Sequence, residues 1–287
     1  MAKVTEKLAE KGKRPLFICD FSPPKGAGPS LLEAAKNLEA DFICLAYNPG
    51  KSVRLDSAIA AYAIKERFQK EVVFNLACRD MNRLAVQAHL LGASALGLEN
   101  VVVLKGDEFT GAEASQVGGV VGFTPTELIG AINSMNRGVD FRGRELQRPT
   151  SFCVGGAVNL GREIEGETRL AIKKAQAGAD FLLTQPVYDA RTATGFLDSF
   201  NSAWGGNKNI PVFFGVQVPV KGGVVFSDVP QRVRDDLDKG RDGAEIALET
   251  IHQLMDSGLD TFYLIPPIIK GGARDYDTAQ QVLSAFR

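Results

Sequence analysis

Short runs of consecutive apolar residues alternate along the chain with longer segments in which apolar positions recur at helical spacing. Eight such runs stand at 16–21, 42–47, 72–78, 101–105, 151–156, 181–185, 212–216 and 261–265, each five to seven residues long and rich in Val, Ile, Leu and Phe. A strand covered on one face alternates apolar with polar residues, whereas one covered on both faces does not. The pattern therefore predicts parallel strands buried on both sides.

The intervening segments predict helices over 30–40, 57–69, 82–91, 126–136 and 165–177. Ser30 after Pro29 reads as an N-cap for the first, and Gly178 as a C-terminal stop for the last. Eight strand–helix alternations without a composition break favour a single (β/α)8 TIM barrel over 1–287 rather than an open doubly wound sheet. The least regular part is 217–243, with Pro219, Gly222, Gly223 and Pro230 before a charged run. It predicts a loop plus a short extra helix.

Composition narrows the class. With Lys+Arg 33 against Asp+Glu 34 and no long basic run, the chain lacks the field that nucleic-acid binding exploits. No stretch approaches the roughly 20 apolar residues of a membrane span, and 3–14 is polar, unlike a signal peptide. A cytoplasmic protein without membrane or nucleic-acid partners is expected. Cys19, Cys44, Cys78 and Cys153 stand singly and only His89 and His252 are present, so the cysteines read as buried thiols and no metal site is expected.

In this fold the reactive groups lie at the C-terminal strand tips, which selects candidates before any family is considered. Asp20 follows four apolar residues, where burial favours the protonated acid; it equally suits a turn cap or a pair with Lys25. Gly106 and Asp107 follow the fourth strand, where glycine admits a planar ligand and a carboxylate tunes it, although Gly-Asp also begins many turns. Gln185 can donate and accept, which suits the amide and amine edge of a pterin or a tie between two loops. Arg79, Asp80 and Asn82 read as a structural clamp, and Lys174 as a solvated lysine or a phosphate partner. The chain has no P-loop, no G-x-G-x-x-G after its first strand, and no Cys or His nucleophile arrangement.

Taken in order, DFSPPKG, NLACRDMNR with QAHLLGASALG, NVVVLKGD, AGADFLLTQPVYD and LIPP resemble methylenetetrahydrofolate reductase from about Pro15 to Pro267. The likeness is to the branch whose barrel also occurs fused behind a homocysteine methyltransferase domain. The resemblance implies FAD held non-covalently in the barrel mouth, NADH or NADPH as hydride donor, and reduction of 5,10-methylenetetrahydrofolate to 5-methyltetrahydrofolate in the one-carbon metabolism that feeds methionine biosynthesis. It places the acid at Asp20, one methylene shorter than the family's usual Glu. It places the flavin-pyrimidine aspartate at Asp107, a basic neighbour at Lys105 beside Gly106, the ribose-binding acid at Glu167 and a phosphate lysine at Lys174. Folate contacts fall on Asp20, Gln185 and Tyr188.

The chain departs from the family pattern at Asn75, where a His is common, and at Ala77 and Ala46, where Thr is common. A Tyr-Pro-Glu run is replaced by Gly156-Ala157-Val158-Asn159. Asn75 and Asn159 thereby become candidate flavin neighbours. These departures bear on the electron source and leave open a folate-binding barrel served by an electron-donating partner protein, one joining a methyltransferase partner in corrinoid-linked methyl transfer without redox chemistry, or a non-catalytic folate-binding subunit. A homo-oligomer is expected.

Overall fold

The computed structural model describes residues 2–287. Strands β1 (Leu16–Phe21), β2 (Phe42–Leu45), β3 (Val72–Ala77), β4 (Asn100–Leu104), β5 (Cys153–Val158), β6 (Phe181–Pro186), β7 (Val212–Gln217) and β8 (Thr261–Ile265) pair in chain order into a closed parallel barrel. Leu16 of β1 meets Thr261 of β8, which closes the ring. The non-alternating runs are these strands, with ends displaced by at most two residues.

Each strand is apolar on both faces because each face has its own core. Leu16 and Ile18 of β1 join Phe42, Cys44, Val73, Val102, Phe181 and Phe213 inside the barrel. Phe17, Cys19 and Phe21 pack outward against the helices with Ile43, Leu45, Phe74 and Leu76. Each large side chain so buried contributes about 1.5–3 kcal/mol, so the lower layers can carry a polar layer above them. Gly155 must be small: a Cβ there would lie 2.5 Å from the Phe181 ring that fills its place.

Helices α1 (Val4–Glu10), α2 (Ser57–Phe68), α3 (Arg83–Ala95), α4 (Ala112–Val117), α5 (Pro125–Asn136), α6 (Ile164–Gln176), α7 (Ala190–Ala203), α8 (Gln231–Asp238), α9 (Gly243–Asp256) and α10 (Tyr276–Ser284) accompany the strands. The predicted helix over 30–40 is instead a 3-10 helix, Pro29–Asn37. Its buried residues Leu32 and Ala35, with Leu38 just past its end, recur every three positions, the period of a 3-10 rather than an α-helix. Asn82 caps α3 by accepting from the Ala85 amide at 2.9 Å.

The polar segment at the start of the chain contains α1, which was not foreseen. Val4 is fully buried among the inner barrel residues. Its amide donates to Asn100 Oδ1 at 2.9 Å, while Asn100 Nδ2 donates to the carbonyls of Ala2 at 3.0 Å and Val72 at 3.2 Å. One fully buried asparagine thus ties the segment to the N-terminal ends of β3 and β4, opposite the strand tips. Asn100→Ala leaves these backbone groups without partners and is expected to lower unfolding free energy by about 2–4 kcal/mol in urea titration. A loss under about 0.5 kcal/mol would show that the tie is idle.

Candidate active site

The inward side-chain pattern continues to the strand tips and there turns polar. Asp20 lies two residues beyond Ile18, Asn75 two beyond Val73, and Gln185 two beyond Leu183, with Tyr263 on β8. These four line one cavity of about 880 Å³ together with Lys105, Gly106, Asn159, Glu167 and Lys174. Of the residues expected from the sequence, Asp107 and Tyr188 alone are not among its walls.

Asp20 is buried and both its oxygens are engaged. Oδ1 accepts from the Tyr263 hydroxyl at 2.9 Å, and Oδ2 from Arg274 Nε at 3.2 Å. Its cationic partner is therefore Arg274, on the loop after β8, and not Lys25, which is exposed. The Arg274 side chain is only 4% exposed although it belongs to a loop. Burial, then the neighbouring Asp20 and Cys44, push the Tyr263 hydroxyl well above its usual pKa, so it stays a neutral donor.

A second group forms where β5 meets α6. Glu167 is buried, accepts from the Asn159 amide at 3.1 Å, and lies 3.8 Å from Arg162. The Asn159 side chain is occupied within its own turn, accepting from the Gly161 amide at 3.0 Å. Lys174 is buried rather than solvated, and its Nζ donates to the Ala157 carbonyl. The reason is Gly156: a Cβ there would lie 3.2 Å from Lys174 Cδ, so the missing side chain makes room for the lysine stem. Burial lowers the Lys174 pKa, partly offset by Glu167. An ammonium so placed, with one carbonyl acceptor and a cavity beside it, is a ready partner for an anionic oxygen.

Gln185 sits at an irregularity. Pairing of β6 with β7 shifts between Leu183 and Pro186, the Gly215 amide donates to Thr184 Oγ1 at 2.9 Å, and Thr184 Oγ1 donates to the Gln185 carbonyl at 2.8 Å. A Cβ at Gly215 would lie 2.7 Å from the Gln185 carbonyl carbon, so glycine permits the shift. The Gln185 amide has no hydrogen-bond partner among the described residues, which counts against its tying two loops together. Asn75 accepts from Cys44 Sγ at 3.3 Å through Oδ1.

At β4 the arrangement is more open. Lys105 pairs with Glu108 in an exposed contact, and the Asp107 side chain is exposed. Arg79 grips both Asp80 oxygens at 2.6 and 2.9 Å, donates to the Asp107 carbonyl at 2.8 Å, and lies 4.4 Å over the Phe109 ring. This is a clamp between the loops after β3 and β4. Tyr188 is buried with Val233 and Ile246 and anchors α8, whose Arg232 donates to its carbonyl at 2.6 Å.

Sequence reasoning passed over Arg274, Tyr263 and Phe226, all of which line the cavity. Tyr263 carried a signal, being a hydroxyl-tipped residue at an inward-facing position of the last apolar run. Arg274 and Phe226 lie in loops whose course no periodicity reveals.

A parallel eight-stranded barrel with an apolar interior and one polar, mixed-charge cavity at its strand tips belongs to the class of barrels that hold small ligands at that end. The chain belongs to the methylenetetrahydrofolate reductase family: the model of that family, Methylenetetrahydrofolate reductase, matches residues 3–266. The chain is also similar to Methylenetetrahydrofolate reductase 1 of Schizosaccharomyces pombe, at 25% identity over 218 residues, covering 68% of this chain but 33% of that protein. It therefore spans about a third of the length of that curated relative. Among solved structures, a protein from Clostridium thermocellum described as binding two copies of 5-methyl-5,6,7,8-tetrahydrofolic acid shares the fold. That likeness has a TM-score of 0.68 at 12% identity, covering 99% of this chain and 97% of that one. No helix among the described residues is long and apolar enough to cross a membrane.

Proposed function

We propose that the chain binds a reduced folate in the barrel mouth and reduces its N5,N10-methylene bridge to an N5-methyl group, with FAD as the resident redox group. The observation that carries this is the division of one cavity between a carboxylate site, Asp20 with Tyr263, and an anion-ready wall, Lys174 with Glu167 and Arg162. The family membership and the folate named for the fold neighbour support the substrate class.

The residues after β5 fit the polar half of a flavin dinucleotide. Lys174 would meet the diphosphate, Arg162 stands at the same wall, and Glu167 would take ribose hydroxyls. When bound, FAD would accept hydride from NADH or NADPH and supply it to the methylene carbon. In the proposed reaction Asp20 donates a proton to N10, the bond from N10 to the methylene carbon breaks, and the N5 iminium ion is left to accept hydride. Tyr263 suits both states of Asp20, because a hydroxyl can donate to the carboxylate and turn to accept from the acid. Arg274 keeps its contact to Oδ2 throughout. Gln185, across the barrel from Asp20, would hold the pterin's amino end.

A second reading has reducing equivalents arriving from a partner protein. It is favoured by the exposure of Lys105 and Asp107, where the family's flavin-edge groups would fall. Anaerobic mixing of the FAD-loaded chain with NADH and NADPH separates the two. Rapid bleaching of the flavin by either nucleotide is expected, and none by both would leave the partner-protein reading standing. For Gln185→Ala, folate affinity is expected to fall about tenfold with flavin content unchanged, measured by titration calorimetry and absorbance. Unchanged folate affinity would remove Gln185 from the site.

A further inference from the structure

Arg274 offers more than its pair with Asp20. Nε donates to Asp20 and Nη1 to the Gly272 carbonyl at 3.0 Å, while Nη2 has no acceptor among the described residues. The side chain is 4% exposed and lines the cavity. A guanidinium anchored on two sides, with its remaining donor open at the cavity wall, offers that donor to an acceptor atom on a ligand.

The group is also held in place before any ligand arrives. Arg274 forms a bridge with Ile268, and its guanidinium carbon lies 5.8 Å from the Phe226 ring centre. The loop bearing Phe226 is fastened in turn. Gln217 at the tip of β7 donates to the Val224 carbonyl at 2.7 Å and accepts from the Phe226 amide at 3.1 Å, and the Val224 amide donates to the Ile268 carbonyl at 2.8 Å. The loops after β7 and β8 are thus tied to each other, and these contacts hold the free edge of Arg274 beside Asp20.

We propose that Arg274 reads the 4-oxo group of the pterin, donating from its free edge to that carbonyl oxygen. This rests on the folate reading above. In a pterin the C4 carbonyl is adjacent to N5 across the ring fusion, so a ligand that brings its N5–N10 bridge to Asp20 brings its 4-oxo oxygen to Asp20's neighbour. Asp20 and Arg274 then recognise adjacent atoms of one edge. The consequence is specificity: a 4-amino pterin presents a donor where Arg274 also donates, and two donors facing each other in a buried site repel. The carboxamide of a nicotinamide offers the same acceptor chemistry and is the competing source.

The test is competitive binding of tetrahydrofolate, its 4-amino analogue tetrahydroaminopterin, and NADH to the wild-type chain and to Arg274→Ala. Wild type is expected to prefer the 4-oxo compound by on the order of tenfold to a hundredfold, and the variant to lose that preference to within about threefold. Should Arg274→Ala fail to fold by circular dichroism, Arg274→Lys carries the test. It keeps a cation against Asp20 but lacks the planar fork that spans two acceptors, so its preference should also collapse. A full preference retained by the folded variant overturns the proposal and leaves the folate reading intact. Weakening confined to NADH assigns the donor to the nicotinamide and overturns it likewise. Failure of wild type to bind either pterin overturns the folate reading, and this proposal with it.

Discussion

Asp20→Asn is expected to slow methylene reduction by about a hundredfold to ten-thousandfold while flavin stays bound and reducible. The substitution keeps the side chain's size and its hydrogen bond to Tyr263, and removes only the group that can give a proton to N10. Splitting the reaction makes the effect readable. Anaerobic flavin reduction should run at the wild-type rate, and reoxidation by methylenetetrahydrofolate should all but stop. Because Arg274 then faces an amide instead of a carboxylate, some loss of stability accompanies the change, and a melting curve reads it separately. Loss of flavin reduction along with folate reduction would show that Asp20 holds the site together rather than acting in it.

Lys174→Met is expected to act in opposite directions on binding and folding. Burial disfavours the Lys174 ammonium, whose stem packs beside Gly156 and whose only acceptor among the described residues is the Ala157 carbonyl. A methionine of similar length removes that desolvation cost, so the melting temperature should hold or rise. Affinity for FAD should fall by on the order of a hundredfold, since a buried charge-assisted contact to phosphate is lost. Riboflavin, which has no phosphate, should bind the variant and the wild type alike. Equal losses for FAD and riboflavin would place the lysine away from the diphosphate.

Much of this architecture is legible in the sequence because burial on both faces leaves a mark that burial on one face does not. The barrel strands read as unbroken apolar runs, and the site residues on them are the first polar ones in the inward-facing series: Asp20 after Ile18, Asn75 after Val73, Gln185 after Leu183. What stayed hidden depends on contacts between distant segments. The burial of Lys174 follows from a glycine on the neighbouring strand, not from its own helix. Arg274 comes to Asp20 through a loop turned by Gly271 and Gly272, whose φ values are +95° and +86°. α1 places one buried valine and the partly buried Leu8 in a largely polar stretch, too little for a periodicity to show. The 3-10 segment did carry its signal, in the three-residue spacing of Leu32, Ala35 and Leu38.

A single turnover reads directly whether this cavity reduces a folate-bound methylene group with flavin electrons, whatever the electron donor. The chain is loaded with FAD, reduced by dithionite under anaerobic conditions, and mixed with 5,10-methylenetetrahydrofolate while flavin absorbance and folate products are followed together. Oxidised flavin is expected to return in step with one equivalent of 5-methyltetrahydrofolate, and Asp20→Asn to block both. Flavin that stays reduced in the presence of substrate, or a chain that takes up no FAD, would contradict the proposed reduction.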